Sequence, residues 1–211
     1  MNIKKFLLAA VFLAAGLILY QGCETFKEIK KSLDDLKRLE FKLESVDSFR
    51  LAGVSLNDKS KLKDLSISDG LKLTNAFRSN KLPANFTLNV GARNPNDGSG
   101  QTRQTSATIT SLDYRLIIDN KMTINGDIGT DFIVPGTGNA TIIPLNMQLD
   151  LYDFFDDKGY ESLINLALAI GGVNGSPARI KLDARPTVKT SLGPITYPGR
   201  ITIVDQEWKS K

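Results

Sequence analysis

Ile143-Pro144-Leu145-Asn146-Met147-Gln148-Leu149-Asp150-Leu151 decides the fold class. Its odd positions are apolar and its even positions are Pro, Asn, Gln and Asp. A period of two sends alternate side chains to opposite faces of a strand. One face is therefore apolar and the other polar, as in a strand that covers a core on one side. Leu145, Met147 and Leu149 are expected inside, and Asn146 and Gln148 outside. A slip of one residue would reverse every assignment. Pro144 lacks an N–H donor, which places the strand at an edge or at the start of its pairing.

The same period recurs on both sides of this stretch. Phe49 to Leu56 reads as a strand ending at Asn57-Asp58, and Phe86-Thr87-Leu88-Asn89-Val90 runs into Asn94-Pro95-Asn96-Asp97-Gly98. Leu65-Ser66-Ile67 and Leu71-Lys72-Leu73 flank Asp69-Gly70, a hairpin-type dipeptide. Leu112, Tyr114, Leu116 and Ile118 share one face, and Asp119-Asn120 turns the chain into Met122-Thr123-Ile124. Phe132 and Val134 lead to the turn Pro135-Gly136-Thr137-Gly138. Arg179 to Leu182 and Arg200 to Val204 read as strands, with Pro186, Gly193-Pro194 and Pro198-Gly199 breaking the chain between them. One helix interrupts: Tyr160 to Ile170 carries Leu163, Ile164, Leu166 and Ala167 and ends at Gly171-Gly172, with Asp156 and Asp157 placed to cap its start. Many short strands separated by Gly, Pro and Asn turns describe an all-β sandwich with one short inserted helix.

Upstream, Glu24 to about Ser45 reads as an amphipathic helix. Phe26, Ile29, Leu33, Leu36 and Leu43 form a stripe, with Leu39 beside it. Glu28–Lys31 and Asp34–Arg38 are spaced to pair along its surface. Three arrangements fit such a segment: a spacer, a helix lying on a membrane, or packing against its own domain or a partner helix. A spacer packed partly on the domain is favoured. The period changes near Val46, which sets 23–45 as a spacer, 46–206 as the sandwich and 207–211 as a tail.

Residues 1–22 have the form of an export signal. Lys4 and Lys5 form a short basic region, and Phe6 to Leu19 is an uninterrupted apolar run too short to span a membrane as a helix. Gly22 precedes Cys23, the one cysteine of the chain. The segment resembles a bacterial lipoprotein signal, in which cleavage occurs just before a cysteine that carries a diacylglyceryl group. Tyr20 and Gln21 depart from the usual residues at those positions. An uncleaved anchor helix with an incidental cysteine and ordinary secretory cleavage are the competing readings. By the resemblance, Cys23 is the lipid attachment residue, acylated with fatty chains such as palmitate. Glu24 after it, in place of Asp, favours the outer membrane of a bacterial envelope.

Composition narrows the chemistry. The 211 residues contain no histidine, which removes Ser-His-Asp and Cys-His hydrolases and histidine-ligated zinc sites. A lone cysteine forms no intrachain disulfide. With Lys4 and Lys5 removed by cleavage, 25 basic residues face 23 acidic ones, so no basic stripe argues for nucleic acid. No cofactor motif is present. Gly136-Thr137-Gly138 lies between strands and lacks the third glycine and following helix of a dinucleotide site.

The order of motifs from Val46 to Asp205 resembles the late embryogenesis abundant type 2 domain, also called the WHy (water stress and hypersensitive response) domain. The matching pieces are a strand ending in Asn94-Pro95-Asn96, the Leu112-Asp113-Tyr114-Arg115-Leu116 strand, the Asp119-Asn120-Lys121 turn, the Pro135-Gly136 turn, the alternating strand Ile143 to Leu151, and a helix with a closing strand. Asp97 to Ser106 is a polar insertion, and Asn125-Gly126 falls after the second hairpin strand instead of in the turn. The resemblance implies an immunoglobulin-like or fibronectin-III-like sandwich, with no catalytic residues to carry over and a link to desiccation and stress.

The remaining candidates have plain structural readings. Asp153, Asp156 and Asp157 do not have EF-hand spacing, and solvation and capping account for them. Asn94 to Gly100 is Asx-turn chemistry. Tyr152, Phe154, Phe155 and Tyr160 are expected to pack at the sandwich end, and Trp208 to cover it. The expected function is a non-enzymatic, lipid-anchored envelope protein that presents its sandwich to a partner. The alternatives are an apolar-ligand module with a groove beneath the Tyr160–Ile170 helix, and a glycosidase-like enzyme using two inward carboxylates.

Overall fold

The computed structural model describes residues 27–100, 102–172, 179–190 and 193–205. The signal segment 1–22, Cys23, Phe26, Trp208 and the tail lie outside the described residues.

Residues 27–37 form the first helix, α1. The strands are β1 (Glu40–Leu51), β2 (Val54–Ser55), β3 (Pro83–Arg93), β4 (Ala107–Ile118), β5 (Lys121–Gly126), β6 (Phe132–Val134), β7 (Ala140–Asp150), β8 (Ile180–Thr190), β9 (Gly193–Thr196) and β10 (Ile201–Ile203). Between them lie a 3-10 turn (Leu62–Asp64) and the helices α2 (Ile67–Arg78), α3 (Leu151–Phe155) and α4 (Tyr160–Gly171). One sheet runs β2-β1-β3-β7. The other runs β10-β8-β4-β5, with β6 pairing with β4 and β9 with β8. Every pairing is antiparallel. This is the all-β sandwich that the alternation predicts.

The deciding stretch behaves as read as far as Asp150, which caps α3 so that Leu151 opens that helix and does not continue the strand. Ile143, Leu145, Met147 and Leu149 are buried, and Asn146 and Gln148 are exposed. β7 pairs only with β3, so Pro144 sits on an edge strand. Leu112, Tyr114, Leu116 and Ile118 are buried together on β4. Asp119 and Asn120 both take positive φ, the backbone of a two-residue hairpin turn.

Several expectations need correction. First, the upstream helix stops at residue 37, and Glu40 already pairs with Arg93. Leu39 and Leu43 suit either period, being four apart. Phe41 between them decides the matter, because Leu39, Phe41 and Leu43 are all buried on one strand face. The sheet thus begins six residues before Val46. Second, the Asp69-Gly70 hairpin is absent: Ser66 caps α2 by accepting from the Asp69 N–H at 3.0 Å. Leu73 is fully buried with Ala76 and Phe77 packed beside it, at helical spacing, whereas Ile67 is 87% exposed. With α2 and α3, the sandwich carries more than one inserted helix. Third, Pro186 does not break the chain but lies inside β8. Its carbonyl accepts from the Tyr197 N–H, so its missing donor faces the gap where β10 hands over to β9 along that edge. Fourth, α4 is capped by Gly159 and receives no side-chain cap from Asp156 or Asp157. Its end at Gly172 is as read: the Gly172 N–H bonds the Leu168 carbonyl.

The Phe49 stretch also folds back earlier than expected. Ala52 and Gly53 make a tight turn with positive φ, which pairs Leu51 with Val54. The aromatic cluster packs as expected: Phe77 meets Tyr152 and Tyr160 edge-on, each at 5.5 Å, and Phe155 is buried.

Candidate functional site

Asn94 and Asn96 are the buried polar side chains among the described residues, 1% and 2% exposed. They sit where β3 leaves its sheet, and buried amides persist only when hydrogen-bonded. Asn94 Nδ2 donates to the carbonyls of Thr105 (2.7 Å) and Val134 (3.3 Å). Its Oδ1 accepts from the Asn96 backbone N–H (3.1 Å) and from Asn96 Nδ2 (2.9 Å). Asn96 Nδ2 also donates to the Asp35 carbonyl at 3.2 Å, near the end of α1. The backbone carbonyls of Asn94 and Asn96 accept from Gly138 and Thr105. Asn96 Oδ1 is buried without a partner among the described residues.

The Asn-Pro-Asn turn is thus a clamp joining four segments: the end of β3, the approach to β4, the β6–β7 turn and the end of α1. Gly136 is part of it. A methyl group there would overlap the carbonyl oxygens of Asn96 and Thr105, so only glycine allows the close approach. Sequence reading identified the turn but not its burial. Asp97 does form the expected Asx turn, accepting from the Ser99 N–H at 3.0 Å.

α1 lies over this clamp. Leu36 is buried and Leu33 half-buried, while Ile29 remains exposed. A cleft of about 290 Å3 opens between α1, the clamp and the end of β8, bounded by Lys31, Asp35, Asn96, Arg103 and Lys189. A second cleft of about 370 Å3 adjoins it and is lined by Lys27, Lys30, Lys31, Arg38 and Arg103 with Asp34 and Asp35. Arg103 comes from the polar insertion. The expected pairs Glu28–Lys31 and Asp34–Arg38 do not close within 4.0 Å. Sequence reading missed this cluster. Its visible trace was Lys27, Lys30 and Lys31 at one helical face; Arg103 joins only through the fold.

A different charge network covers the outer face of the second sheet. Arg200 binds Asp113 at 2.7 Å and Asp183 at 3.1 Å, with Arg185 and Arg115 at 3.5 and 3.8 Å from the same two carboxylates. The Arg200 guanidinium beside Asp113 holds its carboxyl below the usual carboxylate range. Both carboxylates face outward and are tied to guanidinium groups. Burial pushes the Tyr114 phenol up, and the Asp127 charge adds to it.

The remaining sequence candidates are quickly placed. Asp153 lies within α3, Asp156 caps its C-terminal end and Asp157 follows, and no three acidic, cysteine or histidine side chains converge on a metal position among the described residues. The groove that the apolar-ligand alternative requires beneath α4 is filled: Leu163, Ile164 and Ala167 are fully buried, and a methyl at Gly171 would overlap Phe49. Cys23 lies outside the described residues, four positions before the first of them, Lys27. No helix among the described residues is long and apolar enough to cross a membrane.

No family model matches the chain, and no curated protein matches it. Among solved structures, the chain is similar to a solution structure of a protein described as late embryogenesis abundant (LEA). The identity is 13%, over 93% of this chain and 89% of that one, with a TM-score of 0.33. It is also similar to a crystal structure of a protein from Archaeoglobus fulgidus, at 11% identity over 76% of this chain and 92% of that one, with a TM-score of 0.33.

Proposed function

We propose that this chain is a non-enzymatic, lipid-anchored protein of the bacterial envelope, held at the outer membrane through an acylated Cys23 and acting in envelope or desiccation stress. The observation that carries the anchor is the position of the lone cysteine, after Gly22 at the end of a short apolar run. Three acyl chains hold a protein where one holds it only marginally, at about 0.8 kcal/mol per buried CH2. α1 then serves as a short spacer whose far end is fixed to the sandwich by Leu36 and by the Asp35–Asn96 hydrogen bond. The stress role rests on the ordered motifs shared with the WHy domain. A sandwich of this kind acts by presentation, offering loops and edges from a rigid scaffold.

The test is metabolic labelling with palmitate. The wild-type chain should incorporate label and Cys23→Ala should not. Label retained by the variant, or absent from the wild type, would overturn the anchor. A strain lacking the chain should survive drying less well than its parent; equal survival would remove the stress role and leave the anchor standing.

A further inference from the structure

The cations of this fold are distributed unevenly between paired and free. On the sheet faces several are matched: Arg93 with Glu40, Lys42 with Glu44, Arg179 and Lys158 with Asp119, and Arg200 with Asp113 and Asp183. At the α1 end they are not. Lys27, Lys30, Lys31, Arg38 and Arg103 line one cleft with two carboxylates, and none of the five has an ion pair within 4.0 Å among the described residues. Lys189 stands at the adjoining cleft, which shares Lys31 and Arg103. Lys61, Lys63, Lys72, Arg78 and Lys81 around α2 also have no ion pair among the described residues, but it is the α1 group that gathers in one cleft and stands next to Cys23 along the chain.

That end is also where the chain leads to Cys23. Lys27 is four positions after Cys23, at most about 14 Å of extended chain. Lys30 and Lys31 lie one helical turn further on, adding about 6 Å. An anchor at Cys23 therefore holds these groups within one or two Debye lengths of the headgroups, about 8–10 Å each at physiological salt. Ile29, exposed on the same helix, supplies an apolar contact beside the lysines.

We propose that this basic end seats the domain on an anionic phospholipid surface, so that the anchored protein lies against the membrane α1-end down. The inference rests on the Cys23 anchor proposed above. Juxtamembrane lysines and arginines are attracted to anionic leaflets, and salt weakens that attraction. Asp34 and Asp35 moderate it, which makes the seating reversible by salt.

The full-length lipidated protein is reconstituted on vesicles of neutral phosphatidylcholine and on 7:3 phosphatidylcholine–phosphatidylglycerol. Flotation reports the anchor, and amine labelling read by mass spectrometry reports the seating. Lys27, Lys30, Lys31 and Lys189 should label about tenfold more slowly on the anionic vesicles, with the protection lost in 0.5 M salt. Lys81, at the opposite end of β3, should label equally on both. Lys30→Glu/Arg103→Glu changes exposed side chains, and should float normally, keep its unfolding midpoint and lose the protection. Flotation on both vesicles without differential protection would overturn the seating and leave the anchor intact. Flotation on neither would overturn both. Flotation on the anionic vesicles alone would support the seating and refute the anchor. Protection of the same lysines by millimolar inorganic phosphate without vesicles would assign a phosphate site instead and overturn the membrane reading.

Discussion

Asn94→Ala should be among the most damaging single polar substitutions in this fold. It removes four hydrogen bonds from a side chain that is 1% exposed. Asn96 Nδ2 keeps the Asp35 carbonyl, and each backbone carbonyl has a second lone pair, so not every deserted group is fully orphaned. Counting two orphans, the Asn96 N–H and the Thr105 carbonyl, at about 1–3 kcal/mol each gives roughly 2–6 kcal/mol. With a urea slope of about 2 kcal/mol per molar, a loss of 4 moves the midpoint by about 2 M. Asn94→Asp should be no better at pH 7, since it keeps the acceptor but sets a charge against two carbonyls. Asn146→Ala, at an exposed position on β7, is the control and should cost about 0.5 kcal/mol or less. Urea unfolding followed by circular dichroism measures all three. A loss under 1 kcal/mol for Asn94→Ala, or one equal to that of Asn146→Ala, would refute the clamp.

Three further outcomes follow from the same packing. A chain beginning at Glu40 should unfold cooperatively with lowered stability, while one beginning at Val46 loses Phe41, Leu43 and the first half of the β1–β3 ladder and should not fold; a cooperative transition from the shorter chain would place the boundary back at Val46. Leu149→Ala should cost about 2–5 kcal/mol and Gln148→Ala about 0.5 or less in the same urea assay, and the reverse order would invert the register of β7. Arg200→Met should flatten the acid limb of the stability–pH profile. Asp113 binds its proton less tightly folded than unfolded, so its contribution is present above its ordinary value of 3.8 and lost as pH falls through the lower folded value. The effect should stay near 1 kcal/mol or below for so exposed a pair, and an unchanged acid limb would show that Arg200 does not stabilise the Asp113 carboxylate.

The β-sandwich was legible because its strands cover a core on one face, and period two cannot be mistaken where it runs as long as Ile143 to Leu149. It failed where two periods coincide. Leu39 and Leu43 fit a helix as well as a strand, and Phe41 was the discriminating signal. Leu65, Ile67, Leu71 and Leu73 mimic a hairpin, yet only Leu73 is fully buried; the Ser66 cap was the signal for a helix. Pro186 lies within β8 because its partner strand changes beside it, which no local pattern reveals. The site was legible only in pieces. Asn-Pro-Asn was visible as a turn, but its burial depends on Thr105, Val134 and Asp35 arriving from distant segments. Arg103 likewise reaches the α1 lysines only through the fold.

The most direct test of the account is the intact mass of the N-terminal peptide from protein isolated from the native membrane. The account predicts a mature chain whose first residue is Cys23, carrying a diacylglyceryl thioether and an N-acyl chain. A chain that keeps Met1 to Gly22, or one that begins elsewhere with Cys23 as a free thiol, would contradict it.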